Sequence, residues 1–297
     1  MKKIGISLVF CMSLVWAENM PQEAWKLSAT ANLTVSQSYY SDNWDGSQRG
    51  TVAWMADFLG RAKKQISPVL RTRNTLRIDY GQTKSQDEDG NWDDFTKTTD
   101  RIEYETLLLF SLNEWIEPFI SAKVNSQFTH EAKRVDHDSS LVNPKYDLRF
   151  NPITITESFG VSRDFIAEEN SSLSARLGGA FKQTIRRWEL QEDGTYDDEF
   201  INDAGLELVG EYETNLHDDF LEYRSTLSLF TALASSEEYD HDDWKVPQVE
   251  WDNSATIHLT DYIIFRAGLE LLYNKLIDTD VRLRQNMSLG IQFRHSN

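Results

Sequence analysis

Cysteine is nearly absent. Cys11 is the only one among 297 residues, and it lies close to the start of the chain. Downstream of it neither a disulfide framework nor a thiolate metal site can be built. Long apolar runs are missing too. Beyond Ile4–Trp16, no stretch approaches the roughly eighteen consecutive apolar residues of a membrane helix. That excludes a helical span and leaves a membrane β-barrel open. Positive charge is scarce, with 30 Lys and Arg against 48 Asp and Glu and a net charge of −18. A basic nucleic-acid footprint is therefore lacking. Glycine and proline are few, at 14 and 6, and aromatics reach 12%, which argues against disorder.

The first residues read as an export signal. Lys2 and Lys3 precede the apolar run, and Val15-Trp16-Ala17 fits a small-x-small cleavage site. Phe10 before Cys11 departs from a lipoprotein box. The expected organisation is a signal peptide over 1–17, a short periplasmic lead over 18–24 and a single β-barrel domain over 25–297. Cleavage near Ala17 removes two lysines and leaves the mature chain at −20.

The dominant hydrophobic period is two rather than 3.6. Ile263, Phe265, Ala267, Leu269, Leu271 and Tyr273 alternate with Ile264, Arg266, Gly268, Glu270, Leu272 and Asn274. Leu283, Met287, Leu289, Ile291 and Phe293 oppose Arg282, Arg284, Asn286, Ser288 and Gln292 in the same way. A strand sends alternate side chains to opposite faces, so each segment carries one apolar and one polar face. Twelve such segments lie near 25–40, 51–66, 69–82, 98–112, 115–130, 145–166, 172–188, 202–214, 221–233, 246–259, 262–275 and 280–294. Their connections alternate between long and short, apart from a brief last one at 276–279. Aromatics such as Trp25, Tyr80, Trp115, Trp251 and Tyr262 gather at segment ends. The expected fold is all-β: a transmembrane antiparallel up-and-down barrel of about 12 strands, with tight periplasmic turns and longer loops outside. A soluble sandwich alternates similarly but does not need segments this long.

The apolar face then meets outer-membrane lipid and the polar face lines the lumen. Expected lumen residues are Arg71, Arg73, Arg77 and Asp79 on the third segment, and Arg101, Glu103 and Glu105 on the fourth. Glu207 and Glu211 on the eighth adjoin Glu222 and Arg224 on the ninth; Arg266 and Glu270 on the eleventh adjoin Arg282 and Arg284 on the twelfth. These charges either line a narrow pore for small solutes or pair across strands and fill the barrel. The arginines of segments three, four and twelve are the candidate anion-attracting wall.

Three loop tips carry five acids each and no Lys or Arg: QDEDGNWDDF (86–95), QEDGTYDDEF (191–200) and SSEEYDHDDW (235–244). An EF-hand reading fails for the first. With Asp87, Asp89 and Gly90 at loop positions three, five and six, Thr96 falls where the bidentate acid belongs. The D-G pair fits a hairpin tip. A looser divalent-cation site, or a partner held by these loops, is the alternative function: a surface binding protein. A barrel hydrolase is a third class. His258 with Ser254 and Asp252 on one strand spans roughly 13–20 Å, too far for a triad at the strand rise. His137 and His241 fall in acidic loops, and His217 in a short turn. No catalytic residue, cofactor or metal-ligand set is expected, and no nucleic-acid partner.

Ser288-Leu289-Gly290-Ile291-Gln292-Phe293 resembles the C-terminal signal read by the barrel assembly machinery, although Arg294 to Asn297 follow it. Asn43-Trp44, Lys97…Asp100-Arg101 and Gln127-Phe128 carry a second resemblance. They are similar to an uncharacterised family (a domain of unknown function) of Gram-negative outer-membrane β-barrel proteins with an N-W-x-x-G-G-type N-terminal stretch. Asp-Gly-Ser-Gln-Arg-Gly (45–50) stands in place of the double glycine. The resemblance covers about the first 130 residues. It implies an outer-membrane location and a barrel, and no functional residue.

Overall fold

A computed structural model describes residues 24–40, 49–87, 89–112, 115–129, 149–168, 170–190, 196–217, 220–237, 239 and 241–296. Within them twelve strands close into one antiparallel barrel. In chain order they are β1 (Lys26–Ser38), β2 (Thr51–Ser67), β3 (Leu70–Ser85), β4 (Thr96–Phe110), β5 (Glu117–Ser126) and β6 (Ile153–Ala167). Then follow β7 (Ser171–Leu190), β8 (Tyr196–Leu216), β9 (Leu221–Ser235), β10 (Gln248–His258), β11 (Ile263–Tyr273) and β12 (Arg282–Ser296). Each strand pairs with its sequence neighbours, and β12 closes on β1 from Ser28↔Ser296 to Val35↔Leu289. All twelve expected segments are strands. The signal segment and the Asn43-Trp44 motif lie outside the described residues.

The shortest strand has 10 residues and the longest 21, enough for a tilted strand to cross a bilayer. The chain is inside out relative to a water-soluble domain. Among the described residues nine hydrophobic side chains are buried and thirty-nine large ones are exposed, while seventeen polar or charged residues are buried. Phe159, Leu177, Leu206, Leu233, Leu283, Met287 and Phe293 stand on outward faces, each half or more exposed. In water each would forfeit about 1.5–3 kcal/mol of burial, and a continuous apolar belt far exceeds what a soluble monomer exposes. Hydrocarbon removes that cost, and closure leaves no unpaired edge for it to penalise. The fold is a transmembrane β-barrel.

The start of β1, the end of β12 and the short turns share one end of the barrel, called here the terminal end. The other is the long-loop end. At the terminal end, Ser67-Pro68-Val69 joins β2 to β3, and Thr260 Oγ1 accepts the Ile263 N–H at 2.9 Å to tighten the β10–β11 turn. Halfway along β6 and β7, Gly160 and Gly178 face each other in register. A Cβ on Gly160 would lie 2.2 Å from the Leu177 carbonyl oxygen, and one on Gly178 2.2 Å from that of Phe159. Only glycine permits backbones so close.

The sixth segment departs from expectation. It was expected from 145, but β6 starts at Ile153. Residues 145–148 lie outside the described residues. Pro152 has no N–H for a central ladder. Before it, the buried Asn151 side chain replaces backbone pairing: Oδ1 accepts the Arg187 N–H at 2.8 Å and Nδ2 donates to the Arg187 carbonyl at 3.2 Å.

Candidate functional site: a charge-filled lumen

Strand alternation delivers a column of polar side chains to the lumen from every wall. Their arrangement is not that of a lined tube, because partners reach across it. In the long-loop half, Asp79 of β3 accepts from Arg77 Nε and Arg101 Nε, both at 3.0 Å. Arg77 Nη1 continues to Asp252 of β10 at 2.9 Å, and Arg101 Nη1 to Glu250 at 3.1 Å and Asp252 at 3.2 Å. In a ring of twelve strands β4 and β10 are six steps apart, on opposite walls. Arginine and carboxylate therefore meet in the middle. Their side chains reach each other only if the cross-section is flattened.

A second layer lies nearer the terminal end. Arg61 of β2 makes a two-pronged pair with Glu213 of β8, again six strands away. Arg73 Nη2 reaches Glu211 at 2.6 Å, and Arg176 of β7 bonds Glu105 of β4. Arg224 holds Glu213 at 2.9 Å and Glu222 at 3.0 Å, and Arg294 holds Glu222 at 2.8 Å. Asp57 accepts from Arg266 and from Asn32, each at 2.5 Å. Charge-assisted bonds of this kind are strong one by one and fix geometry. Removing one partner of a buried pair costs about 3–5 kcal/mol, since the other charge is left alone.

Apolar side chains occupy lumen positions as well. Leu107, Leu109 and Phe119 form a buried cluster on the inner wall of β4 and β5, with the Arg176 guanidinium 5.9 Å from the Phe119 ring centre. Towards the long loops, Ala180, Phe230 and Ala232 pack together under Trp244 of the β9–β10 connection. What stays open is two chambers. One of about 220 Å³ runs among the charges of both layers, and one of about 290 Å³ lies at the terminal end. Lys63, Arg73, Arg176 and Glu211 wall both, so the two chambers adjoin at the second paired layer.

Fifteen residues are expected in the lumen from the sequence, and all lie on strands. Arg73, Arg77, Asp79, Arg101, Glu103, Glu105, Glu211, Glu222, Arg224, Arg266, Glu270 and Arg284 wall the first chamber. Arg71 walls the terminal one. Glu207 is buried on β8, and Arg282 begins β12 with its Nε buried. The pairings differ from those expected. Arg224 takes Glu213, its register partner, and not Glu207 or Glu211. Arg266 turns across β12 and β1 to Asp57; Arg284 does pair with Glu270. Asp57, Arg61, Arg176, Glu213 and Glu250, which share the lumen parity of their strands, complete the network, together with Asp252, weighed above only as a triad member. The proposed anion-attracting wall is largely neutralised, since Arg77, Arg101 and Arg284 are all bonded to carboxylates.

Carboxylate oxygens of Glu250, Asp252 and Glu270 lie within 4.8 Å of one another, the one such acidic group among the described residues. Arg77, Arg101 and Arg284 already supply the positive charge there. His258 sits 3.1 Å from Arg294 Nη2 and 4.0 Å from Glu222, within the ion layer. His217 has a left-handed backbone (φ 52°) in the β8–β9 turn and serves the turn.

The acidic tip at 86–95 is an ordered loop. Gln86 bridges to Trp92, and the Asp87 carboxylate accepts the N–H groups of Asp89 at 2.9 Å and Asn91 at 2.8 Å. Among the loop's described residues Gly90 alone takes positive φ (80°), and Asp89 does not, so the Asp-Gly pair is not a two-residue hairpin turn with both φ positive. The missing cation comes from just outside the window: Lys84 lies 5.1 Å from the centres of both Trp92 and Phe95. At the third tip Asp242 pairs with Lys245 at 2.7 Å and Asp243 with Lys275 at 2.8 Å. The hydrogen bond that Lys275 donates to the Asp243 carboxylate holds the ammonium's pKa above its usual value. Residues 191–195 of the second tip lie outside the described residues.

The motif Lys97…Asp100-Arg101 with Gln127-Phe128 folds into one clasp. Asp100, with a side chain 1% exposed, accepts the Phe128 N–H at 2.7 Å, the Thr129 N–H at 2.9 Å and the Thr129 hydroxyl at 2.8 Å. Lys97 Nζ ties Asp100 at 3.2 Å to Gln127 Oε1 at 3.0 Å and the Thr129 carbonyl at 2.6 Å. Phe128 joins an aromatic row with Tyr80 and Phe150, which Trp54 extends at the rim. The clasp ends β5 and launches the chain into the long β5–β6 connection.

Fold and lumen together define a transmembrane barrel filled with ion pairs. Residues 35–131, β1 to the end of the clasp, match the family described as Protein of unknown function (DUF3078). No curated protein matches the chain in sequence. Among solved structures, the COG4313 outer membrane channel from Pseudomonas putida F1 is similar, at 13% identity and TM-score 0.43, over 92% of this chain and 95% of that one. The translocator domain of the autotransporter NalP from Neisseria meningitidis gives 8% and 0.38, over 91% and 88%. OprB of Pseudomonas putida gives 8% and 0.33, over 92% and 94%. At these identities and scores the likeness supplies no functional residue.

Proposed function

We propose that this is an outer-membrane barrel of a Gram-negative bacterium, closed at rest by its own ion pairs. The terminal end faces the periplasm and the long-loop end the exterior. The observation that carries the closed state is Arg101 of β4 bonded to Asp252 of the opposite wall. A solute crossing the lumen must break this layer and then the Arg61–Glu213 layer. Passage is therefore limited to water and small ions. The export signal expected over 1–17 and the resemblance of Ser288–Phe293 to an assembly signal support the location.

Planar-bilayer recording tests this reading. The purified barrel is expected to give no steady open-porin steps at neutral pH. Frequent large, stable steps from the unmodified chain would overturn the closed lumen.

The alternative of a cation-binding surface protein rests on the acidic tips. Three of their carboxylates are already engaged: Asp87 by backbone N–H groups, Asp242 and Asp243 by lysines. Calcium titration followed by Trp92 and Trp244 fluorescence is expected to show no saturable change at millimolar calcium. A saturable response would instead make the loops a cation site.

A further inference from the structure

The terminal chamber is positive inside an acidic protein. Five basic side chains of lumen parity wall it (Lys26, Lys63, Arg71, Arg73 and Arg176) against two acidic ones, Asp164 and Glu211; Lys64, of opposite parity, lies over the Trp25 ring. Three of the five form a row of direct register partners on consecutive strands: Lys26↔Lys63 on β1 and β2, then Lys63↔Arg73 on β2 and β3. Like charges placed opposite one another destabilise a sheet. The carboxylates at hand do not relieve the row. Glu211 is held by Arg73, Asp164 by Arg71, Glu105 by Arg176 and Glu213 by Arg61. Among the described residues no hydrogen bond or ion pair reaches the ammonium groups of Lys26 and Lys63.

A second observation concerns donors. Arg176 is only 6% exposed, yet its Nε and Nη1 have no acceptor, and the same holds for Nε of Arg71 and of Arg73. Buried N–H groups are almost always satisfied, so four orphaned guanidinium donors around one cavity call for an acceptor. Leu107, Leu109 and Val209 complete the wall and lower the local dielectric, which strengthens any charge interaction inside. Arginine forks with nearby ammonium groups suit a multiply charged oxyanion, since forks match its oxygens two at a time.

We propose that this chamber is a binding site for a small, doubly charged oxyanion of the phosphate type, entering from the terminal end. Arg176 and Arg73 would hold its oxygens, and Lys63 and Lys26 its remaining charge. The inference rests on the proposed orientation only for calling that face periplasmic. The site belongs to strands β1–β3 and β7; it takes Arg71 and Arg73 from the expected anion wall and adds Lys26, Lys63 and Arg176.

The test is calorimetric titration of the detergent-folded full chain with inorganic phosphate, at ionic strength held constant with sodium chloride. Saturable one-to-one binding is expected, with acetate far weaker. Arg176→Gln should abolish it, and Lys63→Gln should weaken it about tenfold, as loss of one charge-assisted contact does. Lys84→Gln, at the other end of the barrel, should leave it unchanged. Lys63 is exposed to the chamber, so its variant keeps the proposal testable if Arg176→Gln fails to fold. Absence of saturation, or equal weakening by Lys63→Gln and Lys84→Gln, would overturn the site. Binding in detergent needs no conductance, so a conducting wild-type barrel would sink the closed-lumen reading and leave this one standing.

Discussion

Arg101→Ala is expected to turn a silent barrel into a conducting, cation-selective one. Arg101 bonds Asp79, Glu250 and Asp252 at once, joining opposite walls. Without it Arg77 alone bonds Asp79 and Asp252, Glu250 loses its bonded arginine, and the unbalanced negative charge drives the walls apart where the lumen is pinched. The stability cost should be about 3 kcal/mol, the low end for breaking a buried pair, because the lumen is partly solvated. Bilayer recording and the temperature of the heat-dependent gel shift measure the two effects. The double variant Arg101→Ala/Asp252→Ala removes a charge from each side. It should recover part of the lost stability while still conducting, which separates the pair from the surrounding fold. Unchanged silence in both variants would show that the ion layer is not the barrier. The Glu250–Asp252–Glu270 group supplies a further readout. Without Arg101 its three carboxylates are left with Arg77 and Arg284, a net negative charge, and millimolar calcium should block the new conductance.

Asp100→Ala should be the most damaging single change outside the lumen. One carboxylate serves two backbone N–H groups, a hydroxyl and the Lys97 ammonium, with almost no solvent access. Its loss leaves buried donors and a cation unsatisfied. About 3 kcal/mol is the expected cost, since bonds to charged groups are worth roughly 1.5–3 kcal/mol each but share one site. Asp100→Asn keeps the shape and should cost less. Urea unfolding of the detergent-folded barrel measures the difference. Equal stability of wild type and Asp100→Ala would mean the clasp follows from the strand ends and does not fix them.

The two sets of residues differ in how they could be read beforehand. The clasp was visible only as a resemblance, Lys97…Asp100-Arg101 and Gln127-Phe128, with no reason given for the spacing. The fold supplies it, because β4 starts where β5 ends and the antiparallel hairpin brings positions 100 and 128 together. Asn151 is the opposite case. Period-two reading carried the sixth strand back to 145, because a side chain that imitates backbone pairing leaves no trace in hydrophobic alternation.

By itself the sequence determined the strand number, the up-and-down order, and which face of each strand meets lipid. Alternation is local, and a side chain's face follows from parity along one strand. It therefore placed Arg71 to Arg284 on the lumen side and found all twelve strands. It could not decide which charges meet. Arg101 with Asp252, Arg61 with Glu213 and Arg73 with Glu211 join strands five or six places apart around the ring. Those distances depend on closure, register and the flattening of the cross-section, which no local pattern encodes. Only the closed barrel revealed that the expected anion wall is largely neutralised, and that uncompensated positive charge gathers at the terminal end.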